Sequence, residues 1–117
     1  MVLFNSDKEQ GWEDLGDGVS RKVMSYNDDL MVVKVRFEAG SIGAPHQHPH
    51  TQISYVASGV FEYTIGDRTF VMAQGDTCIV PSNSIHGCRC VEAGVLVDSF
   101  NPMREDFVIQ TPPSYSR

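Results

Sequence analysis

The stretch Val60-Phe61-Glu62-Tyr63-Thr64-Ile65-Gly66-Asp67-Arg68-Thr69-Phe70-Val71-Met72 reads as two β-runs closed by a two-residue loop. Aromatic and β-branched residues fill both runs, and such side chains suit a pleated, half-buried surface. Gly66 supplies the positive φ that a tight hairpin demands, so Gly66-Asp67 reverses the chain without strain. Upstream, Leu30 to Phe37 alternates: Met31, Val33, Val35 and Phe37 share one face, and Lys34 and Arg36 take the other. That is the pattern of a strand with one face on a core. Glu38 to Gly43 reads as a turn. Downstream, Gln74-Gly75-Asp76 is a second turn, Thr77 to Val80 a short buried strand stopped by Pro81, and Gly94 to Phe100 a last strand ended by Asn101-Pro102. No helix-period segment exceeds a few residues. The predicted fold class is all-β, a closed sandwich or small barrel of short antiparallel strands.

The bulk properties narrow the functions. A chain of 117 residues fits one domain, predicted over 1–117, with its core over about 30–100, an N-terminal strand region over 12–29 and a tail over 105–117. Fifteen acidic residues against nine basic ones give a formal charge of −6, so no basic field is available to hold nucleic acid. Met1 to Gln10 is largely polar, and no apolar run approaches about 18 residues, so no membrane association and a cytoplasmic location are expected. Cys78, Cys88 and Cys90 are odd in number and lack a paired spacing, which fits a reducing compartment. Thr111-Pro112-Pro113-Ser114 reads as an extended end, or as a segment packing on a neighbouring subunit.

All four histidines fall in two short segments punctuated by glycine and proline. The first runs Gly40, five residues, His46, one residue, His48, three residues, Gln52, six residues, Gly59; the second places Pro81, Asn83 and His86 after Gly75. A lone histidine on a strand is ordinarily a hydrogen-bonded structural residue, but this concentration favours a metal site. His46, His48 and Gln52 share even parity and can face one side, and His86 arrives from a distant part of the chain, which ties ligation to folding. Imidazole nitrogens suit zinc, nickel, copper, iron or manganese, and the amide oxygen of Gln52 is a neutral, weaker ligand than a carboxylate. The cation then keeps its full charge and is suited to gripping an anionic ligand. His50 shares the even parity and can displace Gln52, although Pro49 before it favours a loop and a place at the entrance. Cys88 and Cys90 share the parity of His86, and a ligand role for Cys88 stands beside the commoner role of a small buried hydrophobe.

The two segments resemble the two motifs of the cupin superfamily. Three positions depart from the pattern, which has a carboxylate where Gln52 stands, a glycine where Asn83 stands and often an asparagine where Cys90 stands. The resemblance implies a small double-sheet β-barrel, usually dimeric, with one divalent metal ion held in its mouth. A narrower likeness takes in Trp12-Glu13-Asp14-Leu15-Gly16, Arg21-Lys22-Val23-Met24 and the run Asp98, Phe100, Pro102, Arg104, and is to the KdgF-type pectin-degradation cupins. It implies Gln52 as fourth ligand with His46, His48 and His86, and nickel, zinc, manganese or iron as the ion. It further implies ring opening of 4,5-unsaturated uronate monosaccharides, with Asp98, Phe100 and Arg104 at the active site and a homodimer as the working unit.

The residues themselves support part of this. Leu96, Asp98 and Phe100 share one face of the last strand, so a buried Leu96 makes Asp98 an inward acid near the metal. Its alternatives are a partner that orients a ligating histidine, or a cap on the turn before Pro102. Phe100 is by its residue type a core side chain. Arg104 reads equally as a solvated surface charge and as a planar fork for a sugar carboxylate. Ile53 and Tyr55 point outward and offer a dimer contact. Two other classes compete: a metal-dependent dioxygenase, and a non-catalytic sugar-binding cupin.

Overall fold

Short turns joining β-forming runs produce eight antiparallel strands in the computed structural model, which describes residues 1–108. They are β1 (Glu13–Gly16), β2 (Val19–Tyr26), β3 (Met31–Phe37), β4 (Ile42–His46), β5 (Thr51–Ile65), β6 (Arg68–Ala73), β7 (Thr77–Val80) and β8 (His86–Asn101). Two 3-10 turns, Asp7–Glu9 and Glu105–Phe107, are the remaining regular elements among the described residues. The tail predicted at Thr111 to Ser114 lies outside them. No helix of the described residues is long and apolar enough to cross a membrane.

The hairpin forms as predicted. Ile65 pairs with Arg68, and Gly66 has a φ of 60°, the first-position glycine that matches the right-handed twist of the strands. A second hairpin joins β1 to β2 through Asp17-Gly18, both at positive φ, another strong hairpin dipeptide. The predicted Leu30–Phe37 strand is β3, with Met31, Val33 and Phe37 buried and Arg36 exposed. Ile42 and Gly43, expected in a turn, open β4 instead.

Two strands organise the molecule. The path runs β1-β2-β3-β8-β5-β6, with β4 on β8 and β7 on β5. The first part of β5 pairs with β7 and its second part with β6; the start of β8 pairs with β4 and its end with β3. The strands expected to begin at Val60 and Gly94 are therefore the far halves of strands that begin at Thr51 and His86. The glycines that punctuate the sequence do not end the ladder. They bend it: the β5·β8 register shifts between Val56 and Phe61, with the extra residues taken up as bulges. There a Cβ on Gly59 would stand 2.5 Å from the Glu92 carbonyl, and one on Gly94 would collide with that of Ser58.

Each long strand thus contributes to both layers, and the layers face one interior. Phe37, Val56, Phe61, Met72, Val80 and Leu96 form its larger apolar cluster, with Phe37 and Phe61 edge-on at 5.3 Å. Full burial of such a ring contributes about 1.5–3 kcal/mol. A smaller cluster of Met31, Val33 and Phe100 lies beside it. Into this apolar frame the chain also buries His48, His50, Gln52, Ser54, His86, Asp98 and Arg104. Such groups cost stability unless they are partnered or used.

Candidate metal centre

His46 closes β4, His48 sits in the following loop, Gln52 is the second residue of β5, and His86 opens β8. His46 and His86 are direct cross-strand partners, so the ladder itself brings them together. The loop carrying His48 is pinned by the 81–84 turn: Asn83 N–H donates to the His48 carbonyl at 2.8 Å, and Ser82 Oγ donates to the Pro49 carbonyl at 2.6 Å. Asn83 has a φ of 62°. Asparagine tolerates the left-handed region better than most side chains, so it can stand where the resemblance has a glycine.

Ring nitrogens of His46, His48 and His86 all lie within 4.8 Å of one another. His46 Nδ1 donates to the Ala44 carbonyl at 2.9 Å, and His86 Nδ1 to the Ser84 carbonyl at 2.9 Å. A carbonyl only accepts, so both rings keep the Nε2 lone pair for a cation. His86 Nε2 is buried without a hydrogen-bond partner. Burial holds the His48 and His86 rings neutral: desolvation, reinforced by the Arg104 charge, brings His48 down to about 3, and desolvation also lowers His86. Neutral imidazole is the form that ligates, so this donor set fits a divalent transition ion.

Gln52 Oε1, of the predicted fourth ligand, stands 3.0 Å from His48 Nε2, at the edge of the triad. Its amide nitrogen donates to Ser54 Oγ at 3.1 Å and Tyr63 Oη at 3.2 Å, which turns the oxygen toward the histidines. His50, the alternative ligand, lies outside the triad. Rather than standing at an entrance, it is buried between His48 and Phe100, its ring bonded to the Met103 backbone. Cys88 is half-buried against the core and is not among the converging groups. Burial raises Cys78 to about 11 and raises Cys90, so both remain thiols.

Asp98 is the inward acid that the strand parity predicts, buried with Leu96 and Phe100. Among the described residues its hydrogen-bond partners are Ser54 and Gln52. Ser54 Oγ donates to its Oδ1 at 2.6 Å, and Ser54 also meets Tyr63 Oη at 2.9 Å. A continuous polar path therefore runs from His48 through Gln52 and Ser54 to Asp98. Desolvation raises Asp98 to about 6, against the opposing pull of Ser54 and Arg104. Phe100 packs edge-on to His48 at 5.7 Å.

Arg104 is not a surface charge: it is 1% exposed. Its Nε and Nη2 donate to the two carboxylate oxygens of buried Asp106 at 3.0 and 2.8 Å, and its guanidinium stacks on Phe107. The Glu105–Phe107 turn docks these residues, so the predicted tail begins with an element fixed to the barrel. A cavity of about 70 Å³ is lined by His46, Gln52, His86, Asp98, Phe100 and Arg104, and also by Arg21, Tyr63 and Phe107. Tyr63, Asp106 and Phe107 were not expected at the site from the sequence, and Ser54 was expected there only as a pocket position of the family. Its even parity, shared with Gln52, is the signal that turns it inward.

A double-layered antiparallel barrel with histidines from β4, its loop and β8 converging inside it defines the metal-site class of cupin folds. The cupin domain family matches residues 33–99. The chain is 46% identical over 110 residues to the pectin degradation protein KdgF of Dickeya dadantii (strain 3937), covering 92% of this chain and 100% of that one. The solved structure of KdgF from Halomonas sp. superposes with a TM-score of 0.88 at 35% identity, covering 92% of this chain and 99% of that one. An RmlC-like cupin from Shewanella frigidimarina NCIMB 400 gives a TM-score of 0.88 at 37% identity, over 92% and 96% of the two chains. The chain belongs to the cupin superfamily and, within it, to the KdgF family.

Proposed function

We propose that the chain is a metal-dependent enzyme that opens 4,5-unsaturated uronate monosaccharides to linear 4-deoxy-5-keto uronates. The observation that supports this reading most is the buried path from the histidine triad through Gln52 and Ser54 to Asp98. It couples a cation site to one titratable acid. The likeness to KdgF proteins, whose name ties them to pectin breakdown, points the same way.

In such a substrate the ring oxygen joins C1 to C5, and C4 and C5 share the double bond. Removal of the proton from the C1 hydroxyl, with cleavage of the C1–O5 bond, leaves an aldehyde at C1 and an enolate at C5. Protonation at C4 then makes the C5 ketone. One proton leaves and one returns, so the product is an isomer and a single carboxyl group can serve both transfers. Asp98, raised to about 6, is balanced near neutrality for that exchange. His46, His48, Gln52 and His86 would hold the ion, which supplies stabilisation of negative charge on substrate oxygens. Phe100 walls the cavity beside His48, and Arg104 contributes positive charge to it.

The experiment is a metal-replete assay on unsaturated uronates, following loss of ultraviolet absorbance and product mass. The wild type is expected to give a product of unchanged mass. Asp98→Asn is expected to keep metal content and fold but to slow turnover about a hundredfold, a usual share of general acid–base catalysis. Unchanged turnover would remove Asp98 from the mechanism. Absence of turnover, with oxygen consumed in the presence of ferrous iron, would replace the isomerase reading by an oxygenase.

A further inference from the structure

We propose that Arg21 is a carboxylate-binding residue of the cavity, presenting Nη1 to the acid group of the sugar; this rests on the reading above that the ligand is an anionic uronate. Arg21 lies on β2 and lines the same cavity as His46, His86, Asp98 and Arg104. Its side chain is 9% exposed. Nε and Nη2 both donate to one oxygen, Glu13 Oε1, at 3.1 and 2.8 Å. Nη1 is buried and has no hydrogen-bond partner. A guanidinium cannot shed its proton, so the orphaned donor is a standing cost unless something arrives to accept from it.

The two cavity arginines differ in a way that assigns them different parts. Arg104 is matched by a carboxylate as buried as itself, with Nε and Nη2 bonded to its two oxygens, while its charge still acts on His48, His86 and Asp98. The counter-ion of Arg21 is Glu13, whose side chain is 62% exposed and therefore screened by solvent. What sets Arg21 apart is its buried Nη1, a donor without a hydrogen-bond partner. Phe107 fixes it: the Arg21 guanidinium carbon sits 3.9 Å from the ring centroid and that of Arg104 at 4.2 Å. The side chain is thus positioned before any ligand enters, with Nη1 available for a charge-assisted bond.

The test uses the metal-loaded protein with an unsaturated uronate, and with galacturonate, which lacks the reactive double bond, as a binding probe followed by calorimetry. Arg21→Met keeps the length and apolar contact with Phe107 and removes the orphaned donor. It is expected to raise KM and weaken galacturonate binding at least tenfold, to change kcat less, and to leave the thermal midpoint unchanged or higher. A purely structural Arg21 predicts the reverse, a lower midpoint with unchanged KM, and that result overturns the proposal. Should Arg21→Met fail to fold, Arg21→Lys keeps stem and charge but loses the fork; a severalfold rise in KM is then expected, and an unchanged KM overturns the assignment. Turnover by the wild type with no effect of either variant sinks Arg21 alone. A wild type that neither turns over nor binds uronates sinks the uronate reading and this inference together.

Discussion

Asp98 and His48 respond to acid in opposite senses. Asp98 is raised from 3.8 to about 6 by burial, so the folded protein holds that proton more tightly than the unfolded chain. Its contribution is fully present below 3.8 and is lost as pH rises through about 6. His48 is lowered from 6.5 to about 3; its contribution is present above 6.5 and is lost as pH falls toward about 3. Between these limits the two oppose each other, each with a slope of about 1.4 kcal/mol per pH unit. In metal-stripped protein, Asp98→Asn removes one side of that balance. Denaturant titrations at about pH 6 and pH 4.5 should then show stability falling more steeply with acid in the variant, by about 1.4 kcal/mol per pH unit; parallel curves would mean Asp98 is already ionised at ordinary pH. In the proposed ion site, Gln52 would be the neutral member of the same network. Gln52→Glu places an anion beside Ser54, Tyr63 and Asp98. It should tighten metal binding in a competition titration and slow turnover of an anionic sugar by about tenfold or more. A variant as active as the wild type would show that a neutral fourth ligand is not what the chemistry needs.

The turn at Pro81 to Ser84 and the bends of β5 and β8 place those side chains, and they were unequally legible. Asn83 occupies a position with φ of 62° while its N–H holds the His48 loop. Asn83→Gly should be close to neutral, whereas Asn83→Ala should cost about 1 kcal/mol in denaturant unfolding and weaken metal affinity through the loosened loop. Equal effects of both would locate the cost in the lost side chain instead of the backbone. The Gly66-Asp67 hairpin and the alternation of β3 could be read directly because both depend on local conformation. The shared even parity of His46, His48 and Gln52 does not by itself bring them together, because β4 ends at His46, His48 lies in the loop and β5 begins at Thr51; the loop pinned by the 81–84 turn does so. Beyond the bulge the parity of β5 inverts: Gln52, Ser54 and Val56 are buried before it, Phe61 and Tyr63 after it. That inversion hid Tyr63, which reaches Gln52 and Ser54 from odd parity. Neither the bulge nor the continuity of β5 and β8 is a local property; both arise where Gly59 and Gly94 let two backbones approach. Arg104 was ambiguous for a similar reason, because its burial depends on Asp106 and Phe107 docking as a turn.

Burying the His48 and His86 imidazoles inside the barrel, the latter with Nε2 unpartnered, opposes folding in the absence of a ligand, and an ion held by the triad would offset that cost. The donors come from β4, its following loop, β5 and β8, so they converge only when both layers are formed and an ion binds the folded chain in preference to the unfolded one. At free metal a hundredfold above its Kd, the linkage amounts to about 2.7 kcal/mol of added stability. Chelation should therefore lower the thermal midpoint of the whole cooperative transition, not of a separate segment, and restoring the ion should raise it in proportion to the logarithm of its concentration. His86→Ala separates the two opposing terms. It deletes a buried nitrogen without a partner together with a ligand, so the variant should lose the metal-dependent increment while its metal-free form stays within about 1 kcal/mol of the metal-free wild type, the transfer cost of the lost ring being offset by relief of the orphaned atom. Calorimetry of both proteins with and without nickel or zinc reads each term. A variant that still gains the full increment would show that the ion is held elsewhere. A metal-free form that loses several kcal/mol would show instead that His86 is kept for packing.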